Sequence, residues 1–238
     1  MRRLQPTVTS SHLSDIQGID WTAVRRRASR LLSDYIRFDT TNPPGREARA
    51  ATFLQGTLSA EGIETRLVEA APGRANVVAR LRATEPTGGA LLLLHHMDVV
   101  PPGATGSGDG GWSAPPFDGV VKDGYVWGRG AVDDKGLGTI HLLALILLKA
   151  LGVPLRRDVI LMAVADEEEG GEWGARRMVE HHWPDIECEY VWDEGGSGSR
   201  GIVGDRPIFA VSVWEKRSMV VRVAARGQSG DLEGQRLS

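Results

Sequence analysis

The chain has 238 residues and a mass of 25.7 kDa, 41% of them hydrophobic and 25% charged. That is enough for one or two domains and excludes bulk disorder. With 28 basic against 31 acidic side chains the net charge is −3 and the pI about 6.1, so no basic excess points to nucleic acid or to an anionic membrane. The lone cysteine, Cys188, excludes an internal disulfide framework and a multi-cysteine zinc site.

In chain order, residues 1–19 read as a poorly ordered lead-in. They hold no apolar core for a secretory signal, and no run approaches the ~18 apolar residues of a membrane span, so the expected location is cytoplasmic. Asp20 then stands as an N-cap before Trp21, Val24, Ala28, Leu31, Leu32, Tyr35 and Ile36, which share one helical face. Pro43 and Pro44 end that helix. A second helix is predicted over 46–60, with Gly62 as its stop. Strands are predicted over 65–69, 76–81 and 90–95. The last is an apolar run suited to a strand covered on both faces. A hairpin turns at Lys122-Asp123-Gly124. A buried helix follows over 136–150, then an apolar strand over 158–165, a short helix over 173–181 and a strand over 189–192. This alternation argues for an α/β layered domain over 20–204 with a mostly parallel mixed sheet. From 205 to 238 the style changes to antiparallel strands, 208–214 and 219–225, as at the start of a second, α+β domain too short for its own core.

Three apolar strands end in metal-ligand residues: His95-His96-Met97-Asp98, Asp166-Glu167-Glu168-Glu169 and Asp193-Glu194. A fourth group, Asp133-Asp134, opens the buried helix. In open α/β sheets sites form beyond the carboxyl ends of the strands. Carboxylates meeting there around one imidazole repel one another unless a cation joins them, and the mixture suits zinc, with cobalt or manganese as substitutes. His96 and Asp98, two apart in an extended segment, share a side, so Asp98 is placed to orient the imidazole. One of the adjacent Glu167 and Glu168 is free to bind metal while the other faces substrate, where a carboxylate serves as general base. Asp134 and Asp193 are alternative ligands within their doublets.

The stretch Leu-Leu-Leu-Leu-His-His-Met-Asp-Val-Val-Pro (91–101) resembles the first metal motif of the dinuclear zinc metallopeptidases, the family of aminoacylase, succinyl-diaminopimelate desuccinylase, acetylornithine deacetylase and glutamate carboxypeptidase. Trp-Ser-Ala-Pro-Pro-Phe (112–117), Gly-Arg-Gly-Ala-Val-Asp-Asp-Lys-Gly (128–136), Ala-Asp-Glu-Glu-Glu-Gly-Gly (165–171) and Trp-Asp-Glu-Gly (192–195) resemble its later motifs in the same order. The resemblance implies a three-layer zinc-peptidase-like catalytic domain and the first strands of a lid domain. It implies His96, Asp133, Glu168 and Glu194 as ligands of two zinc ions, Asp133 bridging them. Glu167 is implied as general acid/base and Asp98 as the partner orienting His96. The implied reaction is hydrolysis of an amide or peptide bond, in an N-acyl amino acid or a small peptide, by a hydroxide bridging the two ions. A homodimer is implied for a full-length form.

The same resemblance places two further histidines later in the chain, yet the six present are 12, 95, 96, 141, 181 and 182, and the lid turn reads Gly-Gln-Ser-Gly-Asp (227–231). The corresponding expectation is a C-terminally truncated chain, and the second reading is an inactive remnant that binds at most one metal or a partner chain. Other features are read more plainly. His95 and His141 are packing residues, and His181 and His182, at a helix end before Pro184, cap it or face water. The GxGxxG pattern at 106–111 precedes no helix, so it is not read as a nucleotide loop. Arg129, Arg217 and Arg222 are read as surface ion-pairing residues, with binding of a substrate carboxylate as the alternative.

Overall fold

The structure is a computed structural model that describes residues 18–103, 111–195, 197–202 and 204–210. Most of the expected lead-in, residues 106–110 of the glycine pattern, positions 211–214, the strand at 219–225, Arg217 and Arg222 lie outside the described residues.

The chain opens with α1 (Trp21–Ile36), where the Asp20 carboxylate accepts hydrogen bonds from the backbone N–H of Thr22 and Ala23 at 2.9 and 3.0 Å. These are two of the amide donors that a helix start leaves unpaired. Next come α2 (Ala48–Ala60), β1 (Glu64–Ala71), β2 (Arg74–Leu81) and β3 (Leu91–His96). Strands β4 (Val120–Lys122) and β5 (Tyr125–Trp127) form a separate hairpin whose turn residues, Asp123 and Gly124, both have positive φ, as the tight turn of twisted strands requires. Then follow α3 (Lys135–Ala150), β6 (Val159–Val164), α4 (Arg177–His181), α5 (Trp183–Ile186) and β7 (Tyr190–Trp192).

Five strands form the main sheet in the order β1-β2-β6-β3-β7. β1–β2 and β2–β6 are antiparallel, whereas β6–β3 and β3–β7 are parallel. The sheet is therefore evenly mixed rather than mostly parallel. The reason lies in the connections: a two-residue turn, Pro72-Gly73, folds β2 straight back on β1, while only the later strands are joined by crossovers carrying helices.

The pleat sends alternate residues to two cores. Val77, Ala79, Leu93, Leu161 and Ala163 meet α1, α2 and α3 through Tyr35, Leu54, Leu58, Leu142 and Leu145. On the opposite face Val78, Leu92, Ile160 and Met162 meet Met178 of α4 and Ile186 of α5. Fully burying one such aliphatic side chain contributes about 1.5–3 kcal/mol. The predicted helix over 173–181 is interrupted. A π-helical turn, Glu172–Arg176, precedes α4, with non-helical torsions at Gly174. Gly174 lies so close to the Ala165 carbonyl that any β-carbon there would collide with it.

Two compact units divide after Glu194. In the second, β8 (Ser197–Ser199) pairs antiparallel with β9 (Ile208–Ala210). Among the described residues no helix is long and apolar enough to cross a membrane.

Candidate metal centre

β3 lies between β6 and β7, so its carboxyl end is buried, and it delivers His96 opposite Val164. Beyond the strand, the segment through Met97 and Val99 is pinned by Thr40 Oγ1 donating to the Met97 carbonyl (2.7 Å) and Asn42 N–H donating to that of Val99 (2.9 Å). The His96 ring spans this support and the open site. Its Nδ1 is 2.9 Å from the Asp98 backbone carbonyl and 3.5 Å from the nearer Asp98 carboxylate oxygen. Its Nε2 faces outward, 2.9 Å from Asp133 Oδ1, 3.8 Å from Glu194 Oε2 and 3.9 Å from Glu167 Oε2.

The acidic residues come from three strand or helix ends. After β6 the chain passes through Asp166, in a left-handed conformation (φ 68), into a single 3-10 turn, Glu167–Glu169. The backbone N–H groups of Glu167 and Glu168 each donate to one Asp98 carboxylate oxygen, at 3.0 and 3.1 Å. Asp133 and Asp134, joined by a cis peptide bond, stand before α3, and Asp134 Oδ2 accepts the His96 backbone N–H at 3.3 Å. Asp193 and Glu194 follow β7.

Two groups result. His96, Asp133 and Glu168 offer ligand atoms within 4.8 Å of one another, and so do His96, Asp134 and Glu194. All four residues expected as ligands are thus adjacent, and Asp134, the alternative within its doublet, joins the second group. Asp98 stands behind His96, fully buried, while the Asp133 side chain is 63% exposed.

The electrostatics fit a divalent cation. Burial raises the carboxyls of Glu167, Glu168 and Glu194; His96 pulls the other way, and the Asp133 charge adds to the rise. Burial takes Asp134 to about 7. Burial alone would lower His96, but its hydrogen bond to Asp98 and the charges of Asp98, Asp134 and Glu167 outweigh it and raise the imidazole to about 10. Among the described residues no lysine or arginine forms an ion pair with Asp133, Asp134, Glu167, Glu168 or Glu194. One imidazole among hard oxygen donors, with repulsion left over, is a donor set that zinc or a similar ion would neutralise.

Several residues stand apart from this centre. His95 and His141 are buried and held to about 3 and about 4 by burial. The ring of His95 fills the space against Gly138 of α3. Arg129 stacks on Trp112 at 5.2 Å and donates to the Pro101 carbonyl. Burial raises the Cys188 thiol, which disfavours its thiolate. Sequence reasoning missed Asn42 and Arg74, which sit directly behind the centre, and it grouped Asp166 with the strand-end ligand residues, whereas the Asp166 carboxylate is taken up by Arg74 and Asn42. Asp166 adjoins the glutamate doublet in sequence, but nothing in the pattern of β2 marks Arg74.

Residues 92–228 match the peptidase family M20/M25/M40. Aminoacylase-1 of Sus scrofa is 31% identical over 202 residues, covering 84% of this chain and 47% of that protein. A probable succinyl-diaminopimelate desuccinylase of Staphylococcus epidermidis is 31% identical over 200 residues, covering 84% and 44%. The chain spans about half the length of the curated relatives it matches. Human carnosine dipeptidase 1 superposes with a TM-score of 0.60 at 23% identity, covering 78% of this chain and 41% of that one, a likeness of fold.

Proposed function

The chain belongs to peptidase family M20/M25/M40, and from that premise we propose that His96, Asp133, Glu168 and Glu194 hold two divalent cations, zinc with cobalt or manganese as substitutes, in a centre that hydrolyses an amide or peptide bond. The family is metal-dependent and acts on small peptides or amides. The finer reading is of a three-layer catalytic domain with the start of a lid domain, acting on an N-acyl amino acid or a small peptide. The observation that carries it is His96, which shares ligand-atom distances of 4.8 Å or less with both donor groups, Asp133 with Glu168 and Asp134 with Glu194.

Bound cations supply Lewis acidity towards the carbonyl oxygen and lower the pKa of water. The chain's own groups do the rest. The Asp98 carbonyl and carboxylate hold the Nδ1 side of the His96 ring, so that Nε2 faces the donor groups and would give up its proton to a bound cation. Asp98 also grips the backbone of the Glu167-Glu168 turn, which aims one carboxylate into each role. Glu167, half exposed at the mouth of the centre, takes a proton from the attacking water and returns it to the leaving nitrogen.

Hydrolysis of a panel of N-acyl amino acids and dipeptides, with zinc content measured on the same samples, tests this reading. Glu167→Gln should keep its zinc and lose about 10²–10⁴ of the turnover. Turnover near wild type removes Glu167 from its role. A second reading, a chain that binds one cation without turnover, is favoured by the single imidazole shared between both donor groups. It predicts one equivalent of zinc and no product.

A further inference from the structure

Behind the metal centre lies a buried polar system that the proposed chemistry does not use. Arg74, at the start of β2, is only 7% exposed. Its Nη1 donates to Asp166 Oδ1, and its Nη2 donates to Asn42 Oδ1 at 2.6 Å and to the Pro44 carbonyl at 2.8 Å. The buried Asn42 amide in turn donates to two carboxylates, Asp98 Oδ2 at 2.8 Å and Asp166 Oδ1 at 3.1 Å. Glu47, fully buried, faces the same guanidinium at 3.8 Å, and neither of its oxygens has a hydrogen-bond partner among the described residues.

These contacts converge on the turn that carries the two glutamates. Asp166 holds a backbone conformation that a non-glycine residue keeps only when its surroundings fix it. Its carboxylate is fixed on one side by Arg74 and Asn42 and on the other by the Trp173 N–H at 3.3 Å. Its carbonyl accepts from the Gly171 N–H at 2.5 Å. Asn42 thereby links the anchor of this turn to Asp98, which supports both the His96 ring and the N–H groups of Glu167 and Glu168. A planar fork of donors suits such a junction, and a point-charge ammonium does not reproduce it.

We propose that Arg74 and Asn42 are positioning residues, a buried clamp that holds the Glu167-Glu168 turn and Asp98 in register so that both glutamates face His96 Nε2. The part of this claim that concerns cations rests on the function proposed above; the part that concerns the turn does not.

Two variants of the 238-residue chain test it. Asn42→Ala removes the bridge without stranding a buried charge, and Arg74→Lys keeps the charge while losing the fork, so one remains informative if the other fails to fold. Residue-resolved amide hydrogen exchange should accelerate at least about tenfold at Glu167 and Glu168, with β3 and β6 unchanged. Unchanged exchange at the two glutamates, or an equal acceleration in β3 and β6, overturns the clamp. Titration with Co²⁺, read by visible absorption, should show affinity weakened about 10–100-fold and an altered spectrum in both variants. An affinity and spectrum equal to wild type overturn its role toward the cation. Should the wild-type chain itself bind no Co²⁺, the function proposed above fails, and the exchange measurement still decides the clamp.

Discussion

The centre is built from two unlike pieces of one sheet. β3 and β6 lie in its interior, paired on both sides, and their ends carry His96, Asp98 and the Glu167-Glu168 turn on a base of buried side chains. β7 pairs only with β3 among the described strands, and its residues Tyr190, Val191 and Trp192 are 54%, 54% and 61% exposed; it carries Asp193 and Glu194. The first piece presents its donors through a chain of hydrogen bonds reaching Arg74. The second offers Glu194 from an exposed edge strand, its backbone N–H donating to the neighbouring Asp193 Oδ1 at 2.8 Å. A catalytic group set by packed strands costs little to orient at the moment of binding, whereas one on an edge must be ordered then.

That contrast yields predictions of decreasing size. Leu161, fully buried in the middle of β6, should cost about 2–5 kcal/mol when changed to alanine, measured by urea unfolding. A cost below about 1 kcal/mol would deny the interior strands their distinct status. Asp98→Ala should weaken zinc binding about 10–100-fold, because both glutamate N–H groups lose their acceptors and the imidazole loses the carboxylate charge 3.5 Å away, keeping only the backbone carbonyl. Competition titration against a chelator checks this, and unaltered affinity would leave the hydrogen-bonded piece no better organised than the edge.

The third prediction concerns pH. Neither ring nitrogen of His141 has a hydrogen-bond partner among the described residues, and burial lowers its pKa from 6.5 to about 4. Between those values the unfolded chain takes up a proton that the folded chain refuses. Stability from this residue is therefore intact above about pH 6.5 and falls as the pH drops towards 4, by at most about 1.4 kcal/mol per pH unit. His141→Leu should remove one proton from the pH dependence of unfolding; an identical slope contradicts the assignment. Smallest of all, Val191→Ala on β7 should change stability by no more than about 0.5 kcal/mol. A loss near that of Leu161→Ala would mean the edge is as tightly packed as the interior.

How much of this was legible in the sequence differs between the same pieces. The wholly apolar runs before His95-His96 and Asp166-Glu167 announce strands covered on both faces, and strands of that kind end where sites form, so the adjacency of His96, Glu167 and Glu168 follows from local pattern. The Asp123-Gly124 turn and the Asp20 cap are equally local. The even mixture of strand directions was not, since it depends on β2 returning next to β6 across nearly eighty positions. Arg74 and Asn42 were invisible for a related reason. A buried arginine is explained only by partners remote in sequence, and its partner Asp166 lies 92 residues away. Gly174 breaks the predicted helix because of the Ala165 carbonyl, a contact no helical periodicity contains. That the side chains meet is a property of the fold; what they hold is the proposal.

Zinc titration of the 238-residue chain by calorimetry, beside the double variant His96→Ala/Asp133→Ala, tests that proposal most directly. The wild-type chain should take up two ions saturably and the variant none, while the variant's unfolding curve stays cooperative. Uptake that the double substitution leaves untouched, or no uptake by the wild-type chain, would contradict a cation centre built on His96.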